Sequence, residues 1–310
     1  MSAQTTIQAK AVWQNGKLVP FGEAMTHVSA FGLHYGLGVF EGVRGYRRHD
    51  GRTAIFRLDE HITRLYQSAA VCEMEVPFAP AVVKQACIDT MRANDLDEGY
   101  LRPLVYTGAG ALGMGARNNP IDVVVLAWPW SGILGAQAAD KGVRAHISSL
   151  IRAHVNSVMS KAKIVGQYTA SVLVKRESQR LGLDEAIMLD AEGRVTESSA
   201  QNVFAVFQEQ LFTPPLELSI LAGITRDSVI ALARDLGIPV IERSFTRDML
   251  YTASEIFLTG TATEITPVRE LDGRPIGGGQ PGPVTRKIQQ AFFAVARGPG
   301  DAHPEWLTYL

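Results

Sequence analysis

Between positions 197 and 226 the chain runs Glu197-Ser198-Ser199-Ala200-Gln201-Asn202-Val203-Phe204, six further residues, Leu211-Phe212-Thr213, seven more, and Leu221-Ala222-Gly223-Ile224-Thr225-Arg226. Glu197 closes a short apolar segment, 195–197, that reads as a strand, and an uncharged run follows it. A carboxylate in such surroundings is either a buried hydrogen-bonding partner or a turn residue, and the local sequence favours the turn. The closing hexapeptide leads into an apolar-periodic stretch, 225–236, that reads as a helix with Thr225 at the N-cap position. Amides of a helix's first turn bind phosphate without bulk positive charge, although a plain cap accounts for the same residues. A second short element, Gly260-Thr261-Ala262-Thr263, leaves a strand at 255–258 and offers hydroxyls and unpaired amides. The two elements together suggest an anion cradle.

Outward from this stretch, 310 residues leave room for two domains at roughly 150 each. Asn15-Gly16, flanked by apolar ends, signals a two-residue hairpin because both positions accept positive φ. Helical spacing of apolar residues marks 58–74 and 79–93, and β-branched runs at 100–106 and 121–128 read as buried strands. From 130 to 142 the residues are small and aperiodic, which places a domain boundary there. Beyond it the pattern gives helices at 169–181, 225–236, near 246–252 and at 283–296, with strands at 143–149, 186–189, 195–197, 203–207 and 255–258. The expected class is α+β, with domains over 1–130 and 143–310 and a connecting loop over 131–142.

Lys plus Arg number 30 and Asp plus Glu 31, a net charge of −1 that supplies no field for nucleic acid or an anionic membrane. Cys72 and Cys87 make no disulfide framework and read as core thiols, and the seven histidines form no ligand pair, so no metal site is expected and His34 and His61 read as structural. The first ten residues lack an apolar signal core, and no apolar run reaches the ~18 to 20 residues of a membrane span, so a cytoplasmic protein is expected. Gly108-x-Gly110-x-x-Gly113 follows a strand but leads into Ala116-Arg117-Asn118-Asn119-Pro120 and another strand. A dinucleotide fingerprint needs a helix there, so this reads as a loop.

Lys161 and Lys163 flank Ala162 and share a face in extended chain, so alternation cannot separate them. A lysine held beside Ile164 and Val165 would be desolvated toward the neutral amine that forms a Schiff base, whereas a solvated loop lysine is the plain alternative.

The pattern from Glu197 to Arg226 resembles the signature of the class-IV pyridoxal-phosphate aminotransferases. Lys163 lies 34 residues before Glu197 and five before Tyr168, as the family's Schiff-base lysine does relative to its pyridine-nitrogen acid and its phenol, and this selects Lys163 over Lys161. The segments 34–44, 56–65, 100–104, 128–130, 259–269 and 282–293 are similar to the branched-chain amino-acid aminotransferase subgroup. Only the first ten residues and the last dozen or so fall outside the likeness. It implies the two-domain D-amino-acid aminotransferase-like fold, a small N-terminal α/β domain and a larger C-terminal α/β domain joined by an interdomain loop.

The resemblance further implies reversible amino transfer from L-leucine, L-isoleucine or L-valine to 2-oxoglutarate with pyridoxal 5'-phosphate. Lys163 would be tether and acid/base, Glu197 would pair with the pyridine nitrogen, and Tyr168 would bond the ring's phenolic oxygen. Arg57, Ile224, Thr225 and Thr261 would hold the phosphate, and Leu221 would pack on the ring. Tyr35, Phe40 and Trp130 would form the substrate wall with Gly42 and Arg44. Arg102 would take glutamate's second carboxylate, and Tyr100 with the backbone near Thr261 and Ala262 the α-carboxylate. Tyr35 reaches the neighbouring subunit in this family, which implies a homodimer at least, with a trimer of dimers left open. Ile133 stands where many bacterial members have a second aromatic, so weaker 2-oxoglutarate binding is expected. The alternatives on the same scaffold are a D-amino-acid or (R)-amine aminotransferase, disfavoured by Tyr100-x-Arg102 with Arg44, a lyase acting on aminodeoxychorismate, and a cofactor-free binding descendant. The partners expected are small amino acids and 2-oxo acids, with no nucleic acid and no membrane. Lys163→Ala is expected to abolish the visible absorbance of the protein mixed with pyridoxal phosphate, and Lys161→Ala to leave it; the reverse outcome would transfer the assignment to Lys161.

Overall fold

The Asn15-Gly16 turn forms as the sequence requires. Both residues take positive φ, 47° and 97°, and join β1 (Ala11–Gln14) to β2 (Lys17–Pro20) with Gln14 opposite Lys17. The structure is a computed structural model that describes residues 7–130, 138–299 and 302–310. Ile133 and most of the expected connecting loop lie outside the described residues.

The chain divides into two compact units. The N-terminal unit is built on an eight-stranded sheet. Here β3 (Gly38–Phe40), β4 (Val43–Arg47), β5 (Thr53–Phe56), β6 (Gly99–Thr107) and β7 (Ile121–Trp128) join the first hairpin in the order β5-β4-β6-β7-β1-β2, with β3 also on β6. The amphipathic helices α2 (Leu58–Val71) and α3 (Pro80–Ala93), which follow the short α1 (Phe31–Tyr35), bury Leu58, Ile62, Leu65, Val83, Cys87 and Met91 in a core with Val43, Ile55, Leu101, Val105 and Val125. Pro80 opens α3 at the first helical position, where its missing N–H costs nothing.

Two segments distant in sequence belong to this unit and not to the expected C-terminal domain of 143–310. Ala162–Tyr168, which carries Lys163, is held by an antiparallel bridge from Ile164 to Val39 and by hydrogen bonds from Phe40 N to Lys163 O (3.1 Å) and Gly166 N to Gly36 O (3.1 Å). The terminal strand Leu307–Tyr309 pairs antiparallel with β5 and covers what would be an unpaired edge. No pattern in the last dozen residues announces that strand. The expectation that Lys163 sits with the later strands is corrected for the same reason: main-chain hydrogen bonds, invisible to side-chain periodicity, decide where residues 162–168 pack.

The C-terminal unit holds α4 (Ala138–Lys141), α5 from Thr169 onward (Tyr168–Arg180), α6 (Ile224–Asp235), α7 (Arg247–Leu250) and most of α8 (Pro283–Ala296). Its nine strands are β8 (Val143–Ile147), β9 (Glu185–Leu189), β10 (Val195–Ser198), β11 (Asn202–Phe207), β12 (Gln210–Thr213), β13 (Val240–Glu242), β14 (Glu255–Gly260), β15 (Glu264–Leu271) and β16 (Arg274–Pro275). They run in the order β10-β9-β8-β15-β14-β11-β12-β13, with β16 on β15. A further pairing of Glu197 in β10 with Asn202 in β11 closes six of these strands on themselves as a barrel. Val143, Ala145, Ile187, Val195, Val203, Ala205, Ile256, Leu258 and Val268 form its core. Among the described residues, no helix is long and apolar enough to cross a membrane.

The turn that leads into the C-terminal strand buttresses Arg57, a candidate phosphate-binding residue. Trp306, buried, offers its carbonyl to Arg57 N at 2.6 Å and its ring to the Arg57 guanidinium at 4.9 Å, and it packs edge-on against Phe56. Trp306→Ala is therefore expected to destabilise the protein by about 3–5 kcal/mol, measured by urea unfolding. A loss below about 1 kcal/mol would show that the strand is not anchored this way.

Candidate active site

In the N-terminal unit, the Lys163 Nζ donates to Tyr168 OH at 2.6 Å and lies 5.0 Å from the Phe40 ring centroid. Phe40 meets Tyr168 edge-on at 4.7 Å between centroids, so amine, phenol and aromatic wall form one cluster. Arg102 also packs on this wall. Its guanidinium lies 4.7 Å from the Phe40 centroid, 5.6 Å from Tyr100 and 5.9 Å from Trp128, and its buried Nε has no hydrogen-bond partner among the described residues. A guanidinium boxed by aromatic faces keeps a planar fork for a carboxylate. Tyr100 packs on Trp130 at 4.8 Å, and Gly42 gives its hydroxyl room, since a Cβ there would lie 1.8 Å from it.

Arg44, opposite Tyr100 in the β4–β6 register, is buried and pairs with Glu98 at 3.3 Å while stacking on Tyr46. The structure thus gives Arg44 a structural ion pair in addition to its place beside Tyr100. Arg57 takes the left-handed conformation (φ 51°) at the start of α2, and its Nε donates to Glu60 at 2.7 Å. Tyr35 is exposed at the end of α1, with its hydroxyl on Leu112 O at 2.6 Å.

A single residue, Ala162, separates Lys163 from Lys161, yet the structure holds the two differently. The turn at Ser160-Lys161 breaks the extended geometry that would have put them on one face. Lys161 belongs to the C-terminal unit, where its ammonium donates to Leu218 O at 2.7 Å and Ile220 O at 2.8 Å. Burial pushes its pKa below the usual lysine value, against the pull of Glu197 and Glu217. Its donors are spent on main-chain carbonyls.

In the C-terminal unit Glu197 is not a turn residue. It is buried in β10, where Oε1 pairs with Arg152 Nη2 at 2.8 Å and Oε2 accepts from Leu221 N at 2.9 Å and Asn202 Nδ2 at 3.2 Å. Asn202 in turn donates to Leu221 O at 3.0 Å and stands opposite Thr259 across β14, so Glu197, Asn202 and Thr259 share one face at one end of the barrel. Gly223 is the N-cap of α6, one residue before Ile224. Thr225 is therefore a buried first-turn residue and not the cap expected from its side chain. A side chain at 223 would put Cβ 1.9 Å from Asn202 Oδ1, so only glycine lets α6 begin beside Asn202. Thr261 and Ala262 lie in the tight turn from β14 to β15, and the buried hydroxyls of Thr259 at the end of β14 and Thr263 in the turn have no partner among the described residues.

The sequence did not single out Arg152, Asn202, Ser68 or Glu41. A lone arginine after Leu150-Ile151 and an asparagine five residues past an acid were the available signals, and neither is distinctive without the fold. Among the described residues, no group of His, Cys, Asp and Glu is arranged to hold a metal ion.

The sequence model of amino-transferase class IV matches residues 38–271. The chain belongs to the class-IV aminotransferase family. It is 43% identical, over 96% of its length and 97% of the relative's, to a branched-chain-amino-acid aminotransferase of Pseudomonas aeruginosa. It superposes on the crystal structure of the branched-chain amino acid aminotransferase of Escherichia coli with a TM-score of 0.95 at 42% identity, covering 97% of this chain and 99% of that one. The T.th. branched-chain amino acid aminotransferase complexed with N-(5'-phosphopyridoxyl)-L-glutamate gives 0.93 at 44% identity, covering 98% and 99%.

His61, fully buried, has its pKa driven below the usual value near 6.5 by burial, against the opposing pull of Glu41. The unfolded chain then binds a proton that the native state refuses, so stability is complete above the unfolded value and is lost as pH falls below it. The urea-unfolding free energy is expected to decline between about pH 7.5 and about pH 5, and His61→Gln to flatten the decline. An unchanged slope in the variant would assign it to another group.

Proposed function

We propose that the chain catalyses reversible amino transfer from L-leucine, L-isoleucine or L-valine to 2-oxoglutarate, as a branched-chain-amino-acid aminotransferase with pyridoxal 5'-phosphate as its cofactor. The observation that carries this reading is the Lys163 amine 2.6 Å from Tyr168 OH against the aromatic face of Phe40, in a chain whose family and relatives use that chemistry.

The residues present fit the cofactor. The first turn of α6 and the hydroxyls of Thr259 and Thr263 beside Thr261, which have no partner among the described residues, are donors suited to a phosphate. Arg57 adds the cation, with Ile224 and Thr225 on the helix. Glu197, oriented by three donors, presents a carboxylate to a protonated pyridine nitrogen, and Leu221 is fixed beside it. When bound, pyridoxal phosphate supplies the electron sink that stabilises the carbanion left when the substrate Cα loses its proton.

The protein's own groups then have distinct tasks. Lys163 Nζ is the tether and afterwards carries the proton to and from the substrate Cα, and the Tyr168 hydroxyl holds that amine in place. Phe40, Tyr35 and Trp130, with Gly42 beside them, form a wall for a branched apolar side chain. Arg102 supplies the paired hydrogen bonds that glutamate's second carboxylate needs. Tyr100 and the backbone at Thr261 and Ala262 take the α-carboxylate, with Arg44 behind Tyr100. The site takes small molecules alone, and we place the enzyme in the cytoplasm as at least a homodimer. The exposed apolar side chains of Met25, Val28, Leu33, Tyr35, Leu112 and Met114, all on the N-terminal unit, support a surface that a second copy covers.

A substrate panel tests the reading. L-leucine with 2-oxoglutarate is expected to give the highest kcat/KM, ahead of D-alanine with pyruvate or an (R)-arylalkylamine. Turnover of D-alanine above all three branched L-amino acids would overturn it in favour of a D-amino-acid aminotransferase.

A further inference from the structure

Behind the lysine and its aromatic wall lies a buried ionic cluster that the proposed reaction does not use. Glu41 has no exposed surface. Its Oε2 is 2.7 Å from His61 Nδ1, while Arg64 donates through Nε to Oε1 at 2.7 Å and through Nη2 to Oε2 at 2.8 Å. Burial alone would raise the Glu41 pKa, but the charge of Arg64 and the hydrogen bonds from Arg64 and His61 outweigh it and hold the carboxyl far below the usual range. An ionised carboxylate only accepts, so His61 Nδ1 is the donor, and burial keeps the ring neutral.

Such a cluster is a poor stabiliser, since well-packed apolar residues of the same volume do as well or better. What it touches is more telling. Residues 61, 64 and 68 lie on one face of α2 at i, i+3 and i+7. The first two hold Glu41, and the third, Ser68, accepts from Lys163 N at 3.0 Å through Oγ. Glu41 is the residue between Phe40 and Gly42, and its own N–H donates to Pro103 O at 2.8 Å, next to Arg102. Phe40 N donates to Lys163 O at 3.1 Å. The connections therefore close a ring, from α2 through Glu41 and Phe40 to the Lys163 main chain and back to α2 through Ser68. All of its members belong to the N-terminal unit.

We propose that Glu41, His61 and Arg64 are positioning residues that lock the Phe40–Lys163 main-chain pair to α2 and so keep the Lys163 amine within reach of the Tyr168 hydroxyl. The inference rests on the proposed reaction, in which that amine carries the substrate proton. It separates two functions for one helix: Leu58, Ile62, Leu65 and Ala69 fill the core, and His61, Arg64 and Ser68 set the aim of a lysine 95 residues away in sequence.

The test compares His61→Leu, which removes the donor to Glu41, with His61→Asn, whose amide nitrogen stands near the position of Nδ1. Glu41→Ala is avoided because it leaves the buried Arg64 charge uncompensated. Two readouts are taken on the full-length protein with pyridoxal phosphate present: steady-state kinetics with L-leucine and 2-oxoglutarate, and amide hydrogen exchange read by mass spectrometry. His61→Leu is expected to lower kcat roughly tenfold or more, with KM for L-leucine within about threefold of the parent. Its amides at Phe40 and Lys163 are expected to exchange faster, while those of the barrel strands β8 to β11, β14 and β15 are unchanged. His61→Asn is expected to restore both. Unchanged kcat and exchange in His61→Leu would overturn the proposal, as would equal losses in both variants accompanied by faster exchange throughout the unit, which would mark a purely structural cluster. Absence of amino transfer in the parent protein would instead overturn the proposed function, with the exchange comparison still reporting on the ring.

Discussion

The buried carboxylate of Glu197 is the constraint on which the C-terminal unit turns. A charge in the interior must be fully paired, and Glu197 achieves this with Arg152, Asn202 and the Leu221 amide. The same contacts close the barrel, because Glu197 and Asn202 are the pair that joins β10 to β11. They also fix where α6 begins, since Asn202 leaves no space for a side chain at Gly223. Charge satisfaction, sheet closure and the start of α6 are thus consequences of one hydrogen-bonded group.

The N-terminal unit meets a different demand, the placement of one amine. Lys161 and Lys163 show why burial does not identify a reactive lysine. Burial lowers the pKa of Lys161, but two carbonyls occupy its ammonium. Lys163 instead faces a phenol and an aromatic ring, with its main chain tied on both sides, to Phe40 through its carbonyl and to Ser68 through its amide. The contacts of each ammonium, a phenol and an aromatic ring for Lys163 and two main-chain carbonyls for Lys161, distinguish the two.

Much of this was legible in the chain. The Asn15-Gly16 hairpin, the periodic helices α2, α3, α6 and α8 and the β-branched strands β6, β7 and β11 follow from local rules, because turn chemistry and apolar spacing act over a few residues. The short strands β3, β4, β13 and β16 and the terminal strand were not, since their pairing partners lie far along the chain and supply the stability that their own residues lack. The same distance hid Arg152 from Glu197 and Ser68 from Lys163.

By itself the sequence determined the α+β class and the family pattern from Glu197 to Arg226, and it nominated the lysine, acid, phenol and arginines proposed for the site, because these reside in residue type and spacing. Tertiary structure decided that Lys163 packs with the N-terminal sheet, that Glu197 is a buried strand residue and not a turn, that Gly223 and not Thr225 caps α6, and that Arg44 is tied to Glu98. Each of those outcomes depends on a hydrogen bond, an ion pair or a close approach between residues remote in sequence, whose free energy no local pattern contains.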